Sequence, residues 1–189
     1  MNLVLLPATD PKDQTCGMMP ERIAGYEGVA IHHICFPTMV WYNEPVRREA
    51  IEQIDALNIS PMVLVGFSKS GLGAWNITRM IPDRIAATII FDAPVAREKL
   101  PPWGTDAYYG SDEDWLKDLP YRHITDFKAA LPETHKLVLI SGESFHDEMS
   151  MLSRVLNDTG TAHVFLSRPH QKHHWQSGWI EEGLNIVLQ

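Results

Sequence analysis

Short apolar runs of strand length alternate along this chain with stretches of helical period. Residues 3–6 form the first run, ended by Pro7, and a polar loop follows over 8–20. A second run over 29–36 is ended by Pro37. Val46, Ala50, Ile51, Ile54 and Leu57 then recur at helical spacing behind Asn43, a residue suited to cap a helix start. Residues 62–65 predict the third strand, 72–81 a helix stopped by Pro82, and 87–91 the fourth strand. The fifth strand is expected over 137–140. Met149, Leu152, Val155 and Leu156 predict a helix that ends near Gly160. A sixth strand over 162–166 and a helix from about Trp175 to the C-terminus complete the pattern.

Strands that are apolar throughout are buried on both faces. Separated by helices, they predict a three-layer α/β domain around a mostly parallel sheet of about six strands. In such sheets sites form beyond the C-terminal ends of the strands. Ser68, the Asp10 loop, the Asp92 turn, Asp147 and the His170–His174 cluster all follow predicted strands, so they share one rim. The alternation breaks over 96–132, which is rich in Pro, Trp, Tyr and Asp. That stretch is too long for a connector. It reads as a small, mostly irregular lid-like insert within a single domain spanning 1–189, with a short helix around 112–118.

Residues 62–73 read Met-Val-Leu-Val-Gly-Phe-Ser-Lys-Ser-Gly-Leu-Gly. A buried strand runs into a small-residue turn with Ser68 at its tip, and a helix follows at once. This is the setting of a nucleophile elbow, where a strained turn holds a serine hydroxyl out toward substrate. Gly66 stands two residues before Ser68, and Ser70 stands where a second Gly is common. The competing reading is an ordinary turn in which Ser68 caps the helix.

A serine hydroxyl needs a base, and the base an orienting acid, expected in the chain order Ser, acid, His. The acid is sought in the segment 141–148, after the fifth strand: Asp147 is the choice and Glu143 the rival. Asp147 is equally placed to cap the next helix. The base candidates are His170, His173 and His174, between the last strand and the last helix. No carboxylate or Cys joins these histidines at ligand spacing, so no metal is expected. Oxyanion donors are expected from the backbone N–H of Lys69 and from the loop after the first strand, at Ala8 or Thr9. The Lys69 side chain is expected in solvent. Trp103, Tyr108 and Tyr109, in the insert, are candidates to line an apolar pocket.

Composition narrows the partners. Net charge is −8, which argues against a nucleic-acid footprint. Cys16 and Cys35 show neither metal-ligand spacing nor a disulfide framework, which suits a reducing, cytoplasmic setting. The N-terminal apolar run is too short for a signal peptide or a membrane helix.

The run from Val63 through the elbow, followed by Ile-Pro-Asp-Arg-Ile-Ala-Ala-Thr-Ile-Ile-Phe-Asp-Ala-Pro, resembles the α/β-hydrolase superfamily around its nucleophile. Tyr108-Tyr109-Gly110-Ser111 with Trp115 and Leu119-Pro120-Tyr121 is similar to esterase-type members, and the stretch 137–143 is similar to the family's acid strand. His173-His174-Trp175 resembles the family's histidine turn, in which an aromatic stands two residues past the base, and this favours His173 over His174. The chain departs from the pattern at Ser70, at Phe145 (the usual acid position) and at Pro7-Ala8. The resemblance implies an α/β-hydrolase fold and a serine hydrolase that cleaves a small ester or thioester without a cofactor. The alternative is a degenerate member that binds a small-molecule ligand without turnover.

Overall fold

The computed structural model describes residues 1–8, 16, 27–105 and 107–189. Its order is β1 (Asn2–Leu5), β2 (Ala30–His33), α1 (Glu44–Leu57), β3 (Met62–Phe67), α2 (Lys69–Met80), β4 (Ile85–Phe91), α3 (Asp112–Asp118), α4 (Ile124–Ala130), β5 (Lys136–Ile140), α5 (His146–Asp158), β6 (Val164–Leu166) and α6 (Trp179–Leu188). Three-residue 3-10 turns at Pro82–Arg84 and Pro120–Arg122 lead into β4 and toward α4.

The strands form one sheet in the order β2-β1-β3-β4-β5-β6, and every pairing is parallel. β3 carries the elbow and is buried along its whole length. Side-chain alternation gives the sheet two apolar faces. Val4, Leu64, Leu137 and Leu139 look toward α1, α2, α4 and α5, in a core that includes Ala50, Ile54, Trp75, Phe127, Leu152 and Leu156. Leu3, Val63, Val65, Phe67, Ile89, Phe91, Val138 and Ile140 look the other way, onto Trp175, Trp179, Ile180 and Leu184. Each large apolar side chain so buried contributes roughly 2 kcal/mol, so α6 is held by its apolar stripe.

Local signals explain the element ends. The Asn43 side chain accepts the Val46 N–H at 3.2 Å at the start of α1, and Asn58 ends that helix in the left-handed region at φ 51°. Gly73 lets α2 approach α1's entry, since a Cβ there would lie 2.4 Å from the Tyr42 ring.

Three expectations change. β2 and β6 are shorter than their apolar runs, and α6 begins at Trp179, behind a turn over 175–178. The insert is more regular than expected. It carries α3 over the anticipated residues and also α4, whose Phe127 stacks on Trp75 with ring centroids 3.7 Å apart. The two cysteines are paired: Cys16 and Cys35 form a disulfide. Gln53 of α1 brackets Cys35, accepting its N–H at 2.9 Å and donating to its carbonyl at 2.8 Å. The premise of two reduced cysteines, on which the cytoplasmic expectation rested, does not hold. Among the described residues no helix is long and apolar enough to cross a membrane.

Candidate active site

Ser68 joins β3 to α2 with φ 54° and ψ −123°. A non-glycine residue there costs on the order of 1–3 kcal/mol and persists only where neighbours over-determine it. They do so here. The Ser68 N–H donates to the Phe91 carbonyl at 3.0 Å, and the Gly71 N–H returns to the Ser68 carbonyl at 3.0 Å. The fully buried Ser70 hydroxyl closes the turn, accepting the Phe67 N–H at 2.8 Å and donating to the Phe67 carbonyl at 2.9 Å. Ser70 is therefore a fastener of the elbow and not merely a tolerated substitute for glycine. Gly66 has no such freedom, because a Cβ would lie 2.2 Å from the Ser70 carbonyl oxygen. At Gly71 it would meet the Ala93 Cβ at 2.6 Å. The Ser68 side chain makes no capping hydrogen bond to α2. The hydroxyl does not serve the helix, contrary to the simple cap reading.

Ser68 lines a cleft of about 400 Å³ together with Arg97, Trp103, Ser144, Phe145 and His173. The His173 ring lies between two aromatic rings, 4.5 Å from the Phe67 centroid and 5.5 Å from that of Phe145. Its Nδ1 is 2.7 Å from Asp92 Oδ2. A carboxylate can only accept, so Nδ1 carries the proton and Nε2 is the basic nitrogen.

The acid at the imidazole is thus Asp92, at the end of β4, and not Asp147. Asp92 has no solvent exposure. Oδ1 accepts the N–H groups of Gly142 at 2.9 Å and Phe145 at 2.8 Å, and Oδ2 accepts that of Ser144 at 3.1 Å. A Cβ on Gly142 would sit 2.5 Å from Asp92 Oδ2, so glycine there is what admits the carboxylate. Asp147 instead lies exposed in the first turn of α5, where a negative charge complements the helix dipole. It is not the cap either, since α5 starts at His146 with Phe145 before it.

Glu143 neighbours His173 through the backbone. Its Oε1 accepts the His173 N–H at 3.2 Å and its Oε2 the Lys172 ammonium at 2.7 Å. The Lys172 bond, more than any other influence, holds the Glu143 carboxyl below its usual range. Its N–H donates to the Gln171 carbonyl at 2.9 Å, so Glu143 clamps the histidine loop onto the end of β5. His174 is exposed, its Nδ1 accepting the Gln176 N–H at 3.1 Å, and His170 is exposed as well. Among the three histidines, His173 is the one that the fold turns toward Ser68's cleft.

Lys69 opens α2 directly after Ser68. Its side chain is not in solvent as expected: Nζ lies 3.4 Å from Met39 Sδ and 5.4 Å over the Trp41 ring, and burial pulls its pKa down. Thr9, the other expected oxyanion donor, lies outside the described residues, as does Asp10. Of the insert aromatics, Trp103 reaches the cleft. Tyr108 and Tyr109 instead pack against Trp41, and the Tyr109 hydroxyl donates to Asp118 at 2.8 Å.

Sequence reasoning placed Asp92 on the active rim without weighing it as the acid. The signal was present in Ile-Ile-Phe-Asp-Ala-Pro. An acidic residue there ends a buried, largely apolar strand, and β4 lies beside β3 in the sheet.

No family model and no curated protein matches the sequence. Solved structures do match in shape. Mycobacterium tuberculosis MPT51 (FbpC1) superposes with a TM-score of 0.72 at 15% identity, over 98% of this chain and 88% of that one. The S-formylglutathione hydrolase of Staphylococcus aureus gives 0.69 at 15% identity, over 100% of this chain and 84% of its own. That of Agrobacterium tumefaciens gives 0.67 at 15%, over 98% and 82%. With its parallel six-stranded sheet, the chain has the α/β-hydrolase fold.

Proposed function

We propose that this chain is a serine hydrolase of carboxylesterase type, acting on a small ester or thioester through an acyl-enzyme. One observation carries the reading: a strained elbow serine shares a cleft with a histidine whose far nitrogen is held by a buried aspartate. In the reaction the Ser68 oxygen attacks the substrate carbonyl and His173 Nε2 takes its proton. Asp92 keeps the imidazole in the required tautomer and stabilises its charged form. The imidazolium then protonates the leaving alcohol or thiol. Water, deprotonated by the same nitrogen, cleaves the acyl-enzyme and frees the acid. The oxyanion that forms in each half is received by the Lys69 N–H at the start of α2, with Thr9 as the proposed second donor. No metal or organic cofactor enters these steps.

The cleft's size and its Trp103 and Phe145 walls support a small acyl substrate. The insert 96–132 supplies Arg97 and Trp103, and we assign it the role of shaping that cleft within a single domain. The neighbouring structures named as S-formylglutathione hydrolases favour thioester or ester hydrolysis over amide cleavage. The degenerate reading drew on a displaced acid. Asp92 provides a carboxylate at the imidazole, which favours an active enzyme.

Fluorophosphonate labelling tests the proposal. The folded protein should be labelled at Ser68 and hydrolyse short-chain nitrophenyl esters, and Ser68→Ala should lose both properties. A folded protein that takes up no label and turns over no ester or thioester would refute it.

A further inference from the structure

Arg97 is the one permanent cation among the six described residues that line the cleft, and none of those six is a carboxylate. Its placement is built from several sides. Glu148 Oε1 holds the guanidinium by Nε at 3.0 Å, while Glu148 Oε2 accepts the Ala96 N–H at 3.2 Å. Trp115 Nε1 donates to the Arg97 carbonyl at 2.6 Å, which fixes the backbone. The guanidinium carbon lies 5.0 Å over Trp103 and 5.4 Å over Phe145, so two rings flank the planar head. Among the described residues Glu148 is the only hydrogen-bonding partner of this guanidinium, and it occupies the Nε corner. The terminal nitrogens keep their donors. A guanidinium edge with two parallel N–H groups matches a planar carboxylate.

Resting on the serine-hydrolase reading, we propose that Arg97 binds a carboxylate of the substrate, and that the natural substrate is a small ester or thioester bearing a free carboxylate a few carbons from the scissile carbonyl. A protein of net charge −8 repels anions in general. A fixed cation beside the nucleophile gives such a substrate a local well and sets its direction in the cleft. Glu148 is then a positioning residue, since it orients Arg97 without touching substrate.

The test separates binding from turnover. In a Ser68→Ala background, calorimetry would compare monomethyl adipate with dimethyl adipate, and 4-acetoxybutanoate with its methyl ester. At least one acid should bind about tenfold or more tightly than its neutral ester, the scale of one charge-assisted hydrogen-bonded pair. Adding Arg97→Gln should erase that preference and leave neutral-ester binding within about twofold. If neither acid is preferred in the Ser68→Ala protein, or if the preference survives Arg97→Gln, the proposal is overturned. These readouts do not need catalysis. A preference that depends on Arg97 in a protein that Ser68 labelling shows to be inert would retain the anion site and remove the hydrolase reading instead. In an active enzyme, Arg97→Gln should raise KM for 4-nitrophenyl hemiadipate about tenfold more than it raises KM for the 4-nitrophenyl methyl adipate diester.

Discussion

At the scale of single residues, Asp92 takes the place beside the imidazole for which the sequence had offered Asp147 or Glu143, and it does a second task there. It faces His173, and it gathers three backbone N–H groups from the turn after β5. Asn at this position supplies one acceptor and turns the other atom into a donor against an N–H. Asp92→Asn should therefore cut kcat on a nitrophenyl ester by about ten-thousand-fold, the scale seen when a triad acid is neutralised. It should also cost roughly 1–3 kcal/mol in denaturant unfolding, because a buried N–H loses its acceptor. Asp147→Asn should leave both kcat and stability near the parent. Glu143→Gln should act mildly, through the histidine loop that Glu143 clamps. A parent-like Asp92→Asn beside an inactive Asp147→Asn would restore the original assignment.

At the scale of elements, β4 and β5 are joined below the site by a buried histidine. His135 Nδ1 donates to the Ile85 carbonyl at 2.9 Å, and burial lowers its pKa from the ordinary 6.5. The folded state then binds fewer protons than the unfolded state just below that value. Stability rises with pH wherever the unfolded chain holds more protons. His135 accordingly lowers stability as pH falls from about 6.5 toward its folded pKa. Melting temperatures measured between about pH 5 and 7 should decline on acidification, and His135→Asn, which keeps a donor for Ile85, should flatten the decline. An equal slope in the two proteins would remove His135 as its source. The insert shows the same logic of elements joined by side chains. Trp41, fully buried, collects Leu72 of α2 with Tyr109, Trp115 and Leu119 of the insert. That cluster, with Phe127 stacked on Trp75, keeps 96–132 packed on the body and brings Arg97 and Trp103 to the cleft.

At the scale of the whole molecule, one buried ion pair links the insert to the body. Arg47 of α1 donates to Asp118 of α3 at 2.5 Å and to the Tyr42 carbonyl at 2.8 Å, with both charged side chains less than a tenth exposed. Removing one partner strands the other charge, so Asp118→Ala should cost about 3–5 kcal/mol. The double replacement Arg47→Met with Asp118→Leu should recover most of that loss, as read by chemical denaturation. Limited proteolysis of Asp118→Ala should cut first within 96–132, whereas a first cut elsewhere would place the weak point outside the insert. Much of this architecture was legible in the chain. Apolar runs such as 62–65 and 137–140 leave no polar face for solvent, which commits them to a parallel, helix-covered sheet, and the small residues around Ser68 suit a tight strand-to-helix bend. The helix-capping signal at Asn43 was equally local. The carboxylate that meets His173, the Cys16–Cys35 pairing and Arg97's place in the cleft were not, because each depends on which chain-distant segments become neighbours. Asp92 and His173 are 81 residues apart, and only the sheet order that sets β4 between β3 and β5 brings that carboxylate under that ring. Local pattern determined which residues must be buried and where the chain must turn. Proximity in space, which is a property of the assembled sheet, decided which polar groups on the shared rim meet.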